Sequence, residues 1–477
     1  MAARRRGISN IGCNERALDG RPLFRRFVRY RHLLITGSAI AADASSTLHQ
    51  HVWETSMGCL WLTLCDPEPA INGQFIYSAG LISSVARAGT ELTVLGLERA
   101  PGMSRRSGPG VELFFAADRP KSRWARLLST APMVATRCHV ADMETAVASC
   151  LANGDWEAVI LDSIAAAWAF PLLLRYRDRH GTKLVYLAHN YETGVARQLA
   201  RAASGSRKLA KQYDAWKADR LERQLVRSCD LVTANTPEDR QTMADLAPPG
   251  KPVLFLPPGY GGPKVVSRTI DLGVPRRVIA VGSFDWPPKR LSLEAFLAVG
   301  EPLLSRAGVE LQIVGGAEPS YLADLRRRFP TVEITGMVPD VRPYMANARL
   351  AVVPDLLGGF KLKSLDYVFN RLPMFAMEGA VPGTPLVDGD GIRLFRSHEA
   401  LAHGMVAAID DVAALDAQQN RAYELCVDRF DWDRIGRLLL ETIRGLPTSR
   451  TMSRPDVSEL SPGDAVRVSP GAHSAGR

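Results

Sequence analysis

A chain of 477 residues, 46% hydrophobic and 23% charged, has the balance of a soluble globular protein, and it is too long for one ordinary core, so two domains of roughly 200 residues each are expected. The formal charge is +9, but residues 1–57 hold nine arginines against four acids, which leaves +4 on the other 420 and argues against nucleic acid as a partner. Seven scattered cysteines with no C-x-x-C argue against a disulfide framework or a zinc site and for a reducing, cytoplasmic setting, and no apolar run reaches the ~18–20 residues of a spanning helix.

Residues 1–57 read as a basic, disordered extension. Two alternatives stand beside that: Arg25 to His32 followed by LLITGSAIAADA has the parts of a signal peptide in order, and Met57 directly precedes the first convincing strand. That strand is CLWLTLC, a compact apolar run suited to the centre of a parallel sheet. It runs into DPEPAINGQ, a turn-rich loop, then a helical pattern through Ile76, Leu81, Ile82 and Val85, then ELTVLGL. This is a βαβ unit, which places ligands at the carboxyl ends of its strands and makes Gly73 the point of close approach in the first loop. No G-x-G-x-x-G follows, so a nicotinamide dinucleotide has little support. EAVILD, KLVYLAHN, DLVTAN and VLFLPPG continue the alternation, which sets an N-terminal domain at 58–262.

Between residues 197 and 227 nine basic residues (Arg197, Arg201, Arg207, Lys208, Lys211, Lys217, Arg220, Arg223, Arg227) face only Asp214, Asp219 and Glu222, interleaved with Leu209, Tyr213, Trp216, Leu221 and Leu225. Such a segment either packs its apolar stripe on its own domain or lies on an anionic membrane surface. A Gly- and Pro-rich linker follows at 263–276. Strand signals restart with RVIAVGS, VELQIVGG, VEIT and LAVVP, giving a second α/β domain over 277–429. FDWDRIGRLLLETI supplies an amphipathic helix within 430–446, and 447–477 reads as a disordered tail.

The stretch Pro354 to Pro373, PDLLGGFKLKSLDYVFNRLP, carries the clearest chemistry. A strand feeds Gly358-Gly359, and a helical pattern opens near Ser364 behind Lys361 and Lys363. Glycines let the backbone approach a ligand, and a helix N-terminus favours an anion. The N–H groups of Phe360, Lys361 and Leu362 and the ammonium of Lys363 are the candidate phosphate or sugar contacts, with Asp366 as an acceptor one turn on.

Taken with DPEPAINGQFIY, HNYE, DAWKADRLERQLVRSCDLVTANTPED, LPPGYG, VGSFDWPPK, IVGG and GMVPDVRPYMANARLAVVP, this stretch resembles the GT4-like retaining glycosyltransferases, over about residues 58–445. The resemblance implies the GT-B fold, two Rossmann-like doubly wound domains facing a central cleft. Its N-terminal half would take the acceptor, its C-terminal half a nucleotide sugar, and residues 430–446 would cross back to the N-terminal domain. It implies a metal-independent hexosyltransferase with no cofactor. Gly73 matches the glycine loop near the donor phosphates, His189 the histidine that bonds the donor sugar, and Lys289 the lysine of the diphosphate clamp. The arginine partner of that clamp falls at Ser283. Val338 falls in the donor-binding stretch GMVPDV. The E-x7-E motif is matched in spacing but not in letters: its first glutamate falls at Gly358, its second at Asp366, and Lys363 matches the basic residue between them.

With these matches His189, Lys289 and Lys363 are the candidate catalytic residues, and Gly73, Ser283, Val338, Gly359, Phe360, Lys361, Leu362 and Asp366 the donor-binding set. The expected reaction moves a sugar to a glycan, polysaccharide or lipid-linked acceptor on the cytoplasmic face of a membrane, with residues 197–227 as the contact to an anionic surface. An inactive nucleotide-sugar-binding relative and a sugar-nucleotide epimerase on the same fold remain as alternatives, the first because of Gly358 and Ser283.

Overall fold

The computed structural model describes residues 58–99, 105–118, 129–285, 287–355 and 359–447. The basic extension 1–57, the tail beyond Pro447 and Gly358 lie outside them. Two sheets fall within one compact unit of the chain, Trp53–Arg477. The first contains β1 (Gly58–Cys65), β2 (Leu92–Leu97), β3 (Arg105–Gly108), β4 (Val111–Ala116), β5 (Trp156–Asp162), β6 (Lys183–Leu187), β7 (Leu231–Ala234) and β8 (Val253–Phe255), in the order β3-β4-β2-β1-β5-β6-β7-β8. Every pairing is parallel except β3 with β4. Strand β1 pairs with β2 on one edge and β5 on the other, and its alternate residues pack into two buried clusters, Leu60 and Leu62 in one and Cys59 and Trp61 in the other, so its sequence is apolar almost throughout.

The second sheet contains β9 (Arg277–Val281), β10 (Glu310–Val314), β11 (Glu333–Gly336), β12 (Leu350–Val353), β13 (Met374–Met377), β14 (Val387–Asp388) and β15 (Gly391–Phe395), ordered β11-β10-β9-β12-β13-β15-β14. At the centre of each sheet the order reverses, between β1 and β5 in the first and between β9 and β12 in the second. A doubly wound sheet opens a crevice at that point, beyond the carboxyl ends of the strands. The antiparallel β3–β4 pair and strands β13 to β15 add to what the apolar runs announce, because each is short and bounded by turns.

The helices that shape the site are α1 (Gly73–Arg87), α2 (Glu192–Ala202), α3 (Gly205–Ser228), α4 (Pro237–Leu246), α5 (Pro287–Arg306), α6 (Leu362–Phe369) and α7 (Trp432–Gly445). Their starts follow capping chemistry. Asn72 accepts from Phe75 N at the head of α1, Thr236 accepts from Asp239 N ahead of Pro237 in α4, and Asp431 accepts from Arg434 N in α7.

Helix α7 packs against α1 of the first half. Its stripe Ile435, Leu439 and Ile443 joins Trp61, Leu81, Val85 and Ile160 in one buried cluster that closes a face of the first sheet. Trp432 lies so near Gly80 that a Cβ there would stand 2.3 Å from its ring, so only glycine fits. The six described cysteines are all buried free thiols. We expect Leu439→Ala to cost about 2–5 kcal/mol, because a fully buried side chain would leave a cavity. Arg87→Ala removes a solvent-exposed ion pair to Asp433 and should cost less than ~1 kcal/mol. Urea unfolding of both variants checks the ranking; a smaller loss for Leu439→Ala than for Arg87→Ala contradicts it.

Candidate active site

On the C-terminal side of the cleft, β12 runs into Pro354 and Asp355 just past its end, and α6 opens at Leu362. The helix begins two residues before the expected Ser364, which puts Lys361 at its N-cap and Lys363 in its first turn. No side chain caps that end; instead the Ser364 hydroxyl donates to the Lys361 carbonyl at 2.6 Å. Lys363 forms an ion pair with Asp355, a carboxylate only 4% exposed. Burial would push Asp355 up, but Lys363, Lys361 and Lys289 outweigh it and hold the carboxyl below its usual range. The same group acts on the lysines. Burial, with Lys363 and Lys289, brings Lys361 down to about 8 against the pull of Asp355. Burial and Lys363 likewise lower Lys289, in the first turn of α5. Three ammonium groups thus lie near one buried carboxylate, with Asp285 also acting on Lys289.

On the N-terminal side, His189 follows β6 and Asp162 ends β5. His189 Nε2 lies 2.5 Å from Asp162 Oδ1, and the Trp61 indole donates to Asp162 Oδ2 at 2.9 Å. Burial would raise the Asp162 carboxyl, but His189, Trp61 and Ser78 together keep it below its usual range. The ring of Tyr77 meets the imidazole edge-on, with centroids 5.1 Å apart, and its own hydroxyl donates to Leu256 O at 2.6 Å. The imidazole is therefore fixed from two sides, its Nε2 toward the carboxylate. Its Nδ1 is buried with no hydrogen-bond partner. Asn235, just past β7, donates from Nδ2 to the His189 carbonyl at 2.6 Å, and its Oδ1 is likewise buried and unpartnered.

The loop carrying His189 is braced from behind. Glu222 of α3 accepts from Glu192 N at 2.9 Å and Thr193 N at 2.8 Å, the first N–H groups of α2, and from the Tyr186 hydroxyl at 3.3 Å. Burial pushes this carboxyl up to about 7.

The two sides touch. A Cβ on Gly359 would lie 2.6 Å from Asn190 Oδ1, 3.5 Å from Asn235 Oδ1 and 3.6 Å from His189 O, so the close approach there requires glycine. A Cβ on Gly73 would lie 3.6 Å from the Leu362 side chain, which sets the N-termini of α1 and α6 against each other. Gly73, His189, Gly359 and Leu362 are thus neighbours, with Lys289, Lys361 and Lys363 forming one cluster. Phe360 packs edge-on against Phe430, with centroids 5.7 Å apart. Asp366 faces away from the lysines toward Tyr260, which donates to it, and burial pushes its carboxyl up to about 6. Ser283 is exposed and bonded to Asp285 at 3.1 Å. Val338 sits past edge strand β11, two strands from β9, packed against the C-terminal core.

Asp162, Asp355, Asn235 and Tyr77 escaped the sequence reading. The signal available for the first three was position: each is a polar residue at the carboxyl end of a parallel strand. Among the described residues, no group of three or more His, Cys, Asp or Glu could hold a metal ion. None of the described helices is long and apolar enough to cross a membrane.

Two family models match the chain, one described as a glycosyl transferase 4-like domain over residues 72–259 and one as glycosyl transferases group 1 over residues 275–411. Together they take in more than half of it. Among solved structures, a sucrose-phosphate synthase from Thermosynechococcus elongatus is similar at 17% identity and a TM-score of 0.62, covering 82% of this chain and 98% of its own. HepE from Anabaena, solved with UDP-glucose, is similar at 16% identity and a TM-score of 0.55, covering 82% of this chain and 100% of its own. The trehalose-6-phosphate synthase OtsA is similar at 11% identity and a TM-score of 0.55, covering 82% of this chain and 99% of its own. Among curated proteins no sequence matches. These likenesses give the fold, GT-B, and the family matches over both halves give the membership: the chain belongs to the GT4-like family of glycosyltransferases.

Proposed function

We propose that the chain is a retaining, metal-independent glycosyltransferase that moves a sugar from a nucleotide-sugar donor to a glycan or lipid-linked acceptor. The observation that carries this reading is the cluster of Lys289, Lys361 and Lys363 around one buried carboxylate at the start of α6. Three closely set ammonium groups suit the negative charge of a diphosphate, and the helix N-terminus would add its partial charge. HepE, solved with UDP and with UDP-glucose, makes a uridine nucleotide the first donor to try.

The chemistry follows from charge. The bond from the anomeric carbon to the diphosphate oxygen breaks, and the acceptor oxygen bonds to the same face of that carbon. The acceptor proton passes to the departing diphosphate, so no separate base is needed. The reacting sugar gains positive charge and the leaving group negative charge. Lys289 and Lys363 neutralise the latter, a contribution that grows where water is excluded. Asp355 holds Lys363 in place, and His189 meets the sugar from the opposite wall.

The acceptor side rests on α3. The stripe divides: Leu221 and Leu225 pack on the core of their own domain, while Leu209, Tyr213 and Trp216 point outward, with Leu209 70% and Trp216 54% exposed. Arg201, Arg207, Lys208 and Arg220 are exposed near it. Lys217 departs from the expected basic face: it is buried, paired with Asp214, and set over the Tyr213 ring. The exposed basic and apolar residues support attachment to an anionic lipid surface on the cytoplasmic side, and hence a lipid-linked acceptor.

Three outcomes are expected. Lys363→Ala should lower turnover of a nucleotide-sugar donor by about 10²-fold; near-wild-type turnover removes Lys363 from the mechanism. Binding of UDP should draw a proton onto Lys361 near pH 8, since a lysine lowered to about 8 is raised by a bound anion. Affinity then falls as the pH rises from about 7 to about 9, and Lys361→Met flattens the profile. Calorimetry in buffers of differing ionisation enthalpy reads the uptake, and absence of any uptake contradicts the assignment. Finally, the full chain should sediment with phosphatidylglycerol vesicles and not with phosphatidylcholine vesicles, with Leu209→Ser plus Trp216→Ser weakening the binding. Equal behaviour of that variant and the wild type places the membrane contact elsewhere.

A further inference from the structure

By helical spacing, Arg197, Ala200 and Arg201 share one face of α2, and Lys208, Ala215, Trp216 and Asp219 share one face of α3. The two helices pack against each other, and these residues line a groove of about 300 Å³ between them. The groove exists because its floor is made of alanines. Ala200 and Ala215 are buried, and neither has a side chain long enough to fill the space above it.

Three cations and one carboxylate stand on its walls. Asp219 is already shared, accepting from Arg197 at 3.1 Å and from Arg223 at 3.0 Å. Arg201 on α2 and Lys208 on α3 are exposed and have no acidic partner among the described residues. Exposed cations are ordinary by themselves. These two differ in lining the same concave space, so that a single anion in it would face both. The mouth of the groove is apolar. Trp216 and Tyr213 are exposed with their rings stacked 5.8 Å apart, and Leu209 stands exposed one turn before Tyr213. Exposed Met133 and Val134 lie beside them, since the Met133 N–H donates to Asp214 at 2.9 Å.

Guanidinium and ammonium groups on facing walls suit the oxygens of a phosphate. The exposed aromatic and aliphatic rim suits the level where headgroups meet acyl chains, at which Trp and Tyr collect. A soluble anion would need the cations but not the rim. We propose that the groove between α2 and α3 is a headgroup site, which takes the phosphate of one anionic phospholipid between Arg201 and Lys208 while Trp216 and Leu209 enter the acyl boundary. A charged face on α3 alone would bind a surface in many orientations; this site needs both helices and fixes one. It rests on the membrane attachment proposed above.

The test is sedimentation of the full chain with phosphatidylcholine vesicles that contain or lack phosphatidylglycerol. Two variants remove the same charge, Arg201→Gln plus Lys208→Gln inside the groove and Arg207→Gln plus Arg220→Gln outside it. All four side chains are exposed, so neither pair should disturb folding. The groove pair should weaken binding to the anionic vesicles about tenfold more than the outside pair. Diffuse attraction counts each cation near the surface alike, so equal losses overturn the site and leave the attachment standing. Inorganic phosphate and glycerol phosphate, added at matched ionic strength, separate the sources of the anion. Neither should displace the wild type from the vesicles more than chloride does; displacement by either shows that the groove takes a soluble phosphate and overturns the lipid assignment. If the wild type sediments with neither kind of vesicle, the attachment itself has failed, and the site with it.

Discussion

Two carboxylates, each buried at the end of a central parallel strand, govern the chemistry of the cleft. A bare charge removed from water is costly, so each must be met by donors or cations. The two halves meet this demand differently. Asp162 is balanced by side chains that carry no fixed positive charge, Trp61 and Ser78, and by the imidazole of His189. Asp355 is met by Lys363, Lys361 and Lys289. On the N-terminal wall His189 Nδ1 and Asn235 Oδ1 are buried with no hydrogen-bond partner among the described residues.

Much of the fold was legible because parallel strands covered on both faces must be largely apolar, and β1, β5, β9 and β12 are. Of the strands that went unread, β3, β4, β14 and β15 are short or part-exposed, whereas β13 is a buried apolar run, MFAM, that follows Pro373 directly. The site was legible only where chemistry is local. Lys361 and Lys363 can be read from the Gly-Gly turn and the helix behind it. Asp162 cannot, because its partner Trp61 lies 101 residues away, and nothing in EAVILD announces that its last residue will hold an imidazole. The basic segment 197–227 shows the converse error. Counting charges treats Lys217 and Glu222 as surface groups, whereas both are buried and engaged, one with Asp214 and the other with the first turn of α2.

Helix α3 joins the periphery to the site through that second contact. Its outward face carries Leu209, Tyr213 and Trp216, and its inward face carries Glu222, which holds the backbone three and four residues after His189. A carboxyl raised to about 7 is partly protonated at neutral pH, and it still accepts from both N–H groups in its ionised form. The loop that places His189 therefore depends on a helix whose other side is free to meet a surface.

The relation of the two walls is set where the chain passes between them. It crosses once after β8 and once before α7, and the crossings are bonded to each other, Tyr260 N to Phe430 O at 2.8 Å. Tyr260 also donates to Asp366 and stacks on Phe369, both in α6, while Phe430 packs on Phe360 just ahead of that helix. Two residues on, Trp432 is wedged against Gly80 of α1 and Gly259. The helix that presents Lys363 and the helix that begins at Gly73 are thus both held by one short stretch of crossing chain.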